Sequence, residues 1–523
     1  MILEKTAIAC EAIAQPDPGS WPQRFAAAVY SRRRILMASV LVLYLLSYNG
    51  QWHLTPDSAL YLELGRNIAA GRGYTYHGLP HALAYPGLPY ALAGLFKVFG
   101  AHVIAAADAL VLLCGLATLA ATYRLIHLWS DRGTAIVVTF GLAVTHEFFR
   151  YCCEILTDIP FLLGVTAFLA GHEAVFHASA ARRRWWDWLL LGGGLAIAVV
   201  TRPTMIGLLG VCLAVMIWTA LRSRSARPLA LAAVAVVIVL AIIFFRIDPR
   251  HATSAGPSHG YEKTVFHALF RGDVLDVTHD RLNTKIAANV RDLLGHTAAK
   301  AAFGMPLGNR WLNAIFGSII LAGGLALSRQ RLIWGLWVLV TLAILILLIS
   351  NDRYVLQAMP LLVLGWWRTL IAVQRRLPRT IGNFVFAFFL ALGVVPNCLL
   401  DGNIVLHQHL RPFLDHYADG GYAAYVKLAE QVPRFCAADD VVLCPAGYSR
   451  ILTFLTQRNV FDSMEPKDGK WAAGPLVVFD PEDESLAAWL RQQHLVVQDP
   501  PLASAAQPSG QPPLLLVRCK FAP

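Results

Sequence analysis

The sequence predicts an α-helical polytopic membrane protein that ends in a small α/β domain, and three observations predict it. Hydrophobic residues fill 56% of the 523 positions and charged residues only 15%, whereas a soluble domain carries about 25% charged residues. Apolar stretches of roughly spanning length recur, among them residues 35–48, 229–245 and 332–349. Inside hydrocarbon such stretches must be helical, because unpaired backbone amides are too costly there. Arginines gather in the short loops between the stretches, as expected for retention on the cytoplasmic side. The net charge of +11 is therefore a topology signal rather than a nucleic-acid footprint.

The N-terminal segment, residues 1–34, is expected in the cytoplasm, because Arg32, Arg33 and Arg34 precede a first span at about 35–54. That span reads as uncleaved, since many spans follow and no clear small-residue cleavage site does. The next apolar segment, 82–99, is interrupted by Pro86 and Pro89 and carries Lys97. It reads as interfacial or re-entrant rather than spanning. Charge placement supports this: skipping it puts Arg124 and Arg132, Arg182–Arg184, Arg222 to Arg227, Arg329 and Arg331, and Arg375 to Arg379 all inside. Counting it as a span would put every group outside. Further spans are expected near 102–128, 133–150, 159–178, 187–201, 203–221, 229–246, 309–328, 332–350, 354–372 and 380–400. The membrane domain, 35–400, then has about eleven spans, outer loops of about 51–101 and 247–308, and an extracytoplasmic C-terminus.

From 401 to 523 the composition changes. Helices are expected at 422–435, 449–456 and 484–493, and strands at 441–444, 476–479 and 514–518, with a Pro/Ser/Ala/Gln-rich linker around 500–513. This alternation suggests an extracytoplasmic α/β domain. No internal repeat is evident. Nine cysteines show no C-x-x-C spacing, so a structural zinc site is not expected. Cys114, Cys212 and Cys398 read as small apolar residues within spans. In an oxidising compartment one pair among Cys436, Cys444 and Cys519 could be bridged, and the sequence does not say which.

Several charged residues invite a chemical reading. Asp57 follows Thr55 and Pro56 at the start of a short amphipathic helix marked by Leu60, Leu64 and Ile68 and stopped by Gly71-Arg72-Gly73. Its structural reading is a first-turn acid behind a Thr cap. Its functional reading is a general base at the mouth of a membrane cavity. Glu147, Arg150, Glu154, Thr157 and Asp158 cluster at another helix end on the same expected face, where Asp158 is also a plausible cap. Arg202 interrupts the apolar run 188–221, at a cost of several kcal/mol unless it is paired or reaches polar surroundings. It is either a snorkelling turn residue or a phosphate contact, for which a guanidinium fork is suited. Arg353, in Asn351-Asp352-Arg353-Tyr354, has the same two readings, with a local pair to Asp352 as the structural one. His53, His77 and His81 fit no compact metal-ligand spacing.

In order along the chain stand Asp57 ahead of Ser58-Ala59-Leu60-Tyr61-Leu62, the run from Arg66 to Tyr74, and Tyr85-Pro86-Gly87-Leu88-Pro89. Glu154-Ile155-Leu156-Thr157-Asp158, Thr201-Arg202-Pro203 and Asp352-Arg353-Tyr354 follow. Over roughly residues 30–370 this order resembles the GT-C superfamily of membrane glycosyltransferases, in particular bacterial relatives of the dolichyl-phosphate-mannose protein mannosyltransferases. The resemblance implies a polyprenyl-phosphate-linked sugar donor entering from the bilayer lipid and an acceptor protein, lipid or glycan outside, with no nucleic acid involved. It implies Asp57 as the acid that activates the acceptor hydroxyl. Glu154, Asp158, Arg202, Arg353, Arg66, Lys97 and Tyr61 are the substrate-binding candidates. Two departures stand out: relatives often carry Asp-Glu where this chain has Asp57-Ser58, and the aminoarabinose transferases carry a lysine ahead of their proline pair, where this chain has Ala84-Tyr85-Pro86. Arg202, Arg66, Lys97 and Arg353 therefore remain the phosphate-binding candidates. The implied chemistry requires no metal or other cofactor and leaves a divalent ion open. The competing class is a transporter or flippase, against which stands the lack of an inverted repeat or matched broken helices.

Overall fold

A computed structural model describes residues 20–81, 84–177, 184–223, 279–305, 308–347 and 352–410 of the membrane part. In the C-terminal part it describes residues 422–435, 442–444, 448–458, 460–462, 476–479, 490, 495–497, 501–505 and 513–521. The expected span at 229–246, most of the helix at 484–493, and Cys436 lie outside the described residues.

The chain opens with α1 (Trp21–Ser31) and α2 (Arg33–Ser47), then α3 (Pro56–Ala69), a two-stranded hairpin of β1 (Thr75–Tyr76) and β2 (Leu79–Pro80), α4 (Gly87–Phe99) and α5 (Val103–Trp129). Next come α6 (Arg132–Ala143), α7 (His146–Cys152), α8 (Asp158–His172), α9 (Trp185–Thr201) and α10 (Met205–Ser223). After them lie α11 (His279–Asp292), α12 (Ala298–Phe303), α13 (Arg310–Ala326), α14 (Leu332–Leu347), α15 (Asp352–Val355), α16 (Met359–Arg376) and α17 (Arg379–Leu410). Among the described residues five segments are long and apolar enough to cross a membrane: Gly87–Trp129, Asp158–His177, Arg310–Arg329, Arg353–Arg376 and Arg379–Leu406. With the shorter apolar helices between them, the protein is a multi-pass membrane protein.

Several expected boundaries move, each for a local reason. The first span is not one run from 35 to 54: helix breaks at Arg32 and ends at Ser47. Within the segment expected at 82–99, Gly87–Phe99 is one unbroken helix. Pro86 stands at the N-cap of α4 and Pro89 in its first turn, where no intrahelical hydrogen bond is lost, and a short 3-10 turn, Gly100–His102, with Gly100 at φ +53, parts α4 from α5. The span expected at 133–150 divides at Val144 and Thr145 into α6 and α7, and the Asn397 side chain accepts from the His146 amide at 2.8 Å. Part of the expected central loop is helical, from α11 to α12. The last span does not stop at 400, because Asp401 is buried against His146 Nδ1 at 3.0 Å and α17 continues to Leu410.

The C-terminal part builds a six-stranded sheet from β3 (Val442–Cys444), β4 (Val460–Asp462), β5 (Leu476–Phe479), β6 (Leu495–Val497), β7 (Ala503–Ala505) and β8 (Leu514–Phe521). Strands β4, β3 and β5 run parallel, β8 lies antiparallel to β5, and β6 and β7 pair with the other edge of β8. Alternation divides the side chains between two apolar faces. Val442, Cys444, Val478, Leu514 and Leu516 pack beneath α18 (Tyr422–Ala429) and α20 (Ser449–Thr456), while Leu443, Val477, Val517 and Cys519 face the other way. Cys444 and Cys519 thus belong to opposite faces, which excludes a bridge between them. The helix expected at 422–435 ends at Ala429 and resumes as α19 (Val432–Phe435). The expected linker around 500–513 contains β7, bound to β8 through Ala503 and Ala505.

Antiparallel helices α8 and α9 pack backbone to backbone. A Cβ on Gly194 would lie 2.7 Å from the Gly164 carbonyl and would overlap the Phe168 amide, and one on Gly164 would lie 2.7 Å from the Ala198 amide. Small residues at membrane-helix contacts permit this approach. It brings Asp158, at the start of α8, level with Arg202, at the end of α9. At the opposite ends of the bundle the basic loops meet their own partners: Arg124 pairs with Asp187 at 2.9 Å and Arg331 with Glu173 at 2.7 Å. Gly194→Leu is expected to force α8 and α9 apart and to lower stability by about 1–3 kcal/mol, the usual cost of overpacking. Thermal unfolding in detergent checks this, with Gly193→Leu as a control, since a Cβ there meets nothing within 4 Å.

Candidate active site

The first turn of α3 answers the question raised by Asp57. Thr55 Oγ1 accepts from the Ser58 amide at 3.1 Å, and Ser58 Oγ accepts from the Thr55 amide at 3.1 Å, a reciprocal cap. The Trp52 indole donates to the same Ser58 oxygen at 2.9 Å. Capping is thus done by Thr55 and Ser58, and the Asp57 carboxylate is turned to other partners.

Those partners form a chain of five alternating charges. Arg450, at the start of α20, donates to Asp57 Oδ1 at 2.8 Å, and Arg353, on α15, donates through Nη1 to Asp57 Oδ2 at 2.6 Å. Arg353 also donates through Nη2 to Asp158 Oδ2 at 2.9 Å, and Arg202 reaches Asp158 Oδ1 at 2.9 Å. The Arg202 guanidinium lies 5.0 Å over the Tyr354 ring. Side-chain exposure rises along the chain, from 0% at Asp158 and 8% at Arg202 through 22% at Arg353 to 35% at Asp57 and 37% at Arg450. Three guanidiniums face two carboxylates, so the chain carries one cation in excess.

Other expected site residues stand around it. The Tyr61 hydroxyl is 3.4 Å from Thr157 Oγ1, the residue before Asp158. Burial, with the Asp57 charge adding to it, raises the Tyr61 phenol above its usual range, so it stays protonated. Glu154 pairs with Arg150 at 3.3 Å, and burial pushes its carboxyl upward against that cation. Glu147 is enclosed by Lys300 at 3.2 Å and Arg150 at 3.6 Å. Arg66 does not join the chain: it pairs with Glu63 and donates to the Phe454 carbonyl at 3.0 Å. Lys97 is exposed in the last turn of α4 and takes no part in the chain. Arg353 bridges two distant carboxylates, whereas the Asp352 side chain lies outside the described residues. Arg450 was missed in the sequence, where nothing marks an arginine at position 450 as a partner of residue 57. An apolar cavity elsewhere, lined by Val137, Gly141, Met359, Trp366, Trp367 and Leu390, shares no residue with the chain.

Comparison with known proteins agrees with this architecture. A family model described as dolichyl-phosphate-mannose-protein mannosyltransferase matches residues 80–245. Among solved structures, ArnT from Cupriavidus metallidurans in the apo state superposes with a TM-score of 0.54 at 14% identity, covering 94% of this chain and 98% of that one. The same protein bound to undecaprenyl phosphate gives 0.52 at 17% identity, with 93% and 98% covered. The Archaeoglobus fulgidus oligosaccharyltransferase tethered to an acceptor peptide gives 0.51 at 13% identity, covering 89% of this chain and 69% of that one. No curated protein matches in sequence.

Asp158 is the buried hinge of the charge chain, since its one carboxylate is shared between Arg202 and Arg353. Breaking a buried pair from one side costs about 3–5 kcal/mol because the partner charge stays behind. Asp158→Ala is expected to lose stability on that scale by thermal unfolding in detergent. Asp158→Leu combined with Arg202→Leu should lose less than Asp158→Ala alone.

Proposed function

We propose that the chain is a relative of the GT-C membrane glycosyltransferases and that it moves a sugar from a polyprenyl-phosphate-linked donor to an acceptor hydroxyl, on the extracytoplasmic side of the membrane. The observation that carries this reading is the Arg450–Asp57–Arg353–Asp158–Arg202 chain. It joins a partly exposed carboxylate to a surplus of guanidinium charge at the ends of two apolar helices. The side assignment is supported by the separation of this chain from the Arg124–Asp187 and Arg331–Glu173 pairs at the arginine-rich helix ends.

In the proposed reaction Asp57 takes the proton of the acceptor hydroxyl as its oxygen attacks the anomeric carbon. The bond from that carbon to the phosphate oxygen breaks, and polyprenyl phosphate leaves with the electron pair. A carboxylate offers about four lone-pair sites, so two guanidiniums leave Asp57 room for an acceptor. Arg353 is the phosphate contact in this scheme, because its fork is reachable from solvent and suits phosphate oxygens. Arg202 holds Asp158 from behind. The scheme draws on arginine charge and uses no metal. Access from the bilayer fits the ends of the apolar segments Asp158–His177 and Arg353–Arg376, where Asp158 and Arg353 stand. Tyr61, protonated beside Thr157, is placed to donate to the sugar or its phosphate.

The purified protein, supplied with polyprenyl-phosphate sugars, is expected to release free polyprenyl phosphate. Asp57→Asn should slow that release by about 10²–10⁴-fold, the usual contribution of a positioned base; a folded Asp57→Asn protein that transfers at the parental rate rejects the base role. Arg353→Gln should weaken donor binding, read by titration with the lipid-linked sugar, and unchanged donor affinity would remove Arg353 from the phosphate site.

A further inference from the structure

Helix α20 is held on α3 at several points. Besides the bond from Arg66 to the Phe454 carbonyl, that guanidinium lies 4.9 Å over the Phe454 ring, and Trp52 meets the same ring edge-on at 5.0 Å. His77 Nε2 stands 3.0 Å from Thr453 Oγ1, and its ring meets Phe461 of β4 at 4.4 Å. Ile451 is fully buried in one apolar cluster with Trp52, Ala59 and Leu62. His77 keeps this place with φ at +54, a left-handed conformation that a non-glycine residue rarely adopts. Many contacts therefore fix where α20 sits, and only then does Arg450 reach Asp57.

The consequence for Asp57 is geometric. Arg353 holds Oδ2 and Arg450 holds Oδ1, so the carboxylate plane cannot turn without opening one of two short hydrogen bonds. With one guanidinium alone it would pivot about that contact. As a contribution to stability the Arg450 pair is small: both partners are more than a third exposed, and water screens exposed ion pairs. Fixing the plane of the reacting carboxylate is the larger effect, since a misplacement near 1 Å can cost about a hundredfold in rate.

We propose that Arg450 is a positioning residue for Asp57, so that the C-terminal part completes the reaction centre when α20 is seated on α3. This rests on the transfer function proposed above. It requires nothing of the C-terminal sheet except that it carry α20 to its place.

The test compares full-length parent, Arg450→Ala, Arg450→Lys and Phe454→Ala for polyprenyl-phosphate release at saturating donor, with donor titration and thermal unfolding alongside. Arg450→Ala should lose about 10- to 100-fold in kcat with donor KM within about twofold and an unchanged unfolding temperature. Arg450→Lys, with charge but no fork, should recover part of the loss, and Phe454→Ala should lower kcat by loosening the seat. An active parent whose Arg450→Ala variant keeps the parental kcat or exceeds it overturns the positioning role alone. So does loss of donor affinity with kcat retained, which would make Arg450 a phosphate ligand. A parent that releases no polyprenyl phosphate overturns the transfer reading and this one with it.

Discussion

Arg353 is the side chain on which the arrangement turns, because among the described residues it alone pairs with both carboxylates of the charge chain. Through it the short helix α3 is tied to α8 and α15, elements far apart in sequence. Each has a separate reason to be near. Helix α8 is drawn against α9 by glycine contacts, α3 packs Leu62 and Ala59 against Leu88 and Leu92 of α4, and α15 leads directly into α16. Apolar packing brings these parts into register, and Arg353 converts that proximity into one defined set of oxygens and nitrogens. Burying charge in this way is costly unless every member is paired. That condition explains why the chain alternates in sign without interruption.

The contrast between the two ends of the bundle gives the chain its meaning. At the arginine-rich end the interhelical pairs are one to one, Arg124 with Asp187 and Arg331 with Glu173. Such pairs cancel and hold helices together. At the other end the charge chain sets three arginines on two aspartates, so the chain itself is not neutral. That excess of guanidinium charge beside apolar helices is what the proposed lipid-linked phosphate would meet.

How far the sequence reveals this depends on how local each signal is. Asp57, Asp158, Arg202 and Arg353 are legible because charge beside a spanning stretch is expensive, and the positive-inside pattern puts all four on one face. Helix α20 and strand β5 are legible from composition and alternation, and their expected bounds, 449–456 and 476–479, coincide with Ser449–Thr456 and Leu476–Phe479. Arg450 is not legible, because its partner stands 393 positions away and no periodicity encodes that contact. The expected helix end at 400 fails for a similar reason. Asp401 falls just past the expected span, and His146, from α7, supplies the partner that lets it stay buried in helix. Pro86 and Pro89 mislead in the opposite sense. They look like breakers of α4, yet at a first turn they obstruct nothing.

Exposure along the chain then decides which members can take a new partner. Asp158 and Arg202 are sealed, so their pair must persist through any cycle; opening it would strand a charge in a dry environment. Asp57 and Arg450 sit where water reaches, so the Asp57 carboxylate can take a further hydrogen bond while it keeps both guanidiniums. Arg353 lies between, with one amino group on the buried carboxylate and the other on the exposed one. A guanidinium anchored at one fork and reachable at the other is preorganised for an incoming oxyanion, since it need not search for its orientation. The buried pair thus serves the exposed one. It fixes Arg353, and Arg353 sets one oxygen of Asp57 while α20 delivers the cation that sets the other.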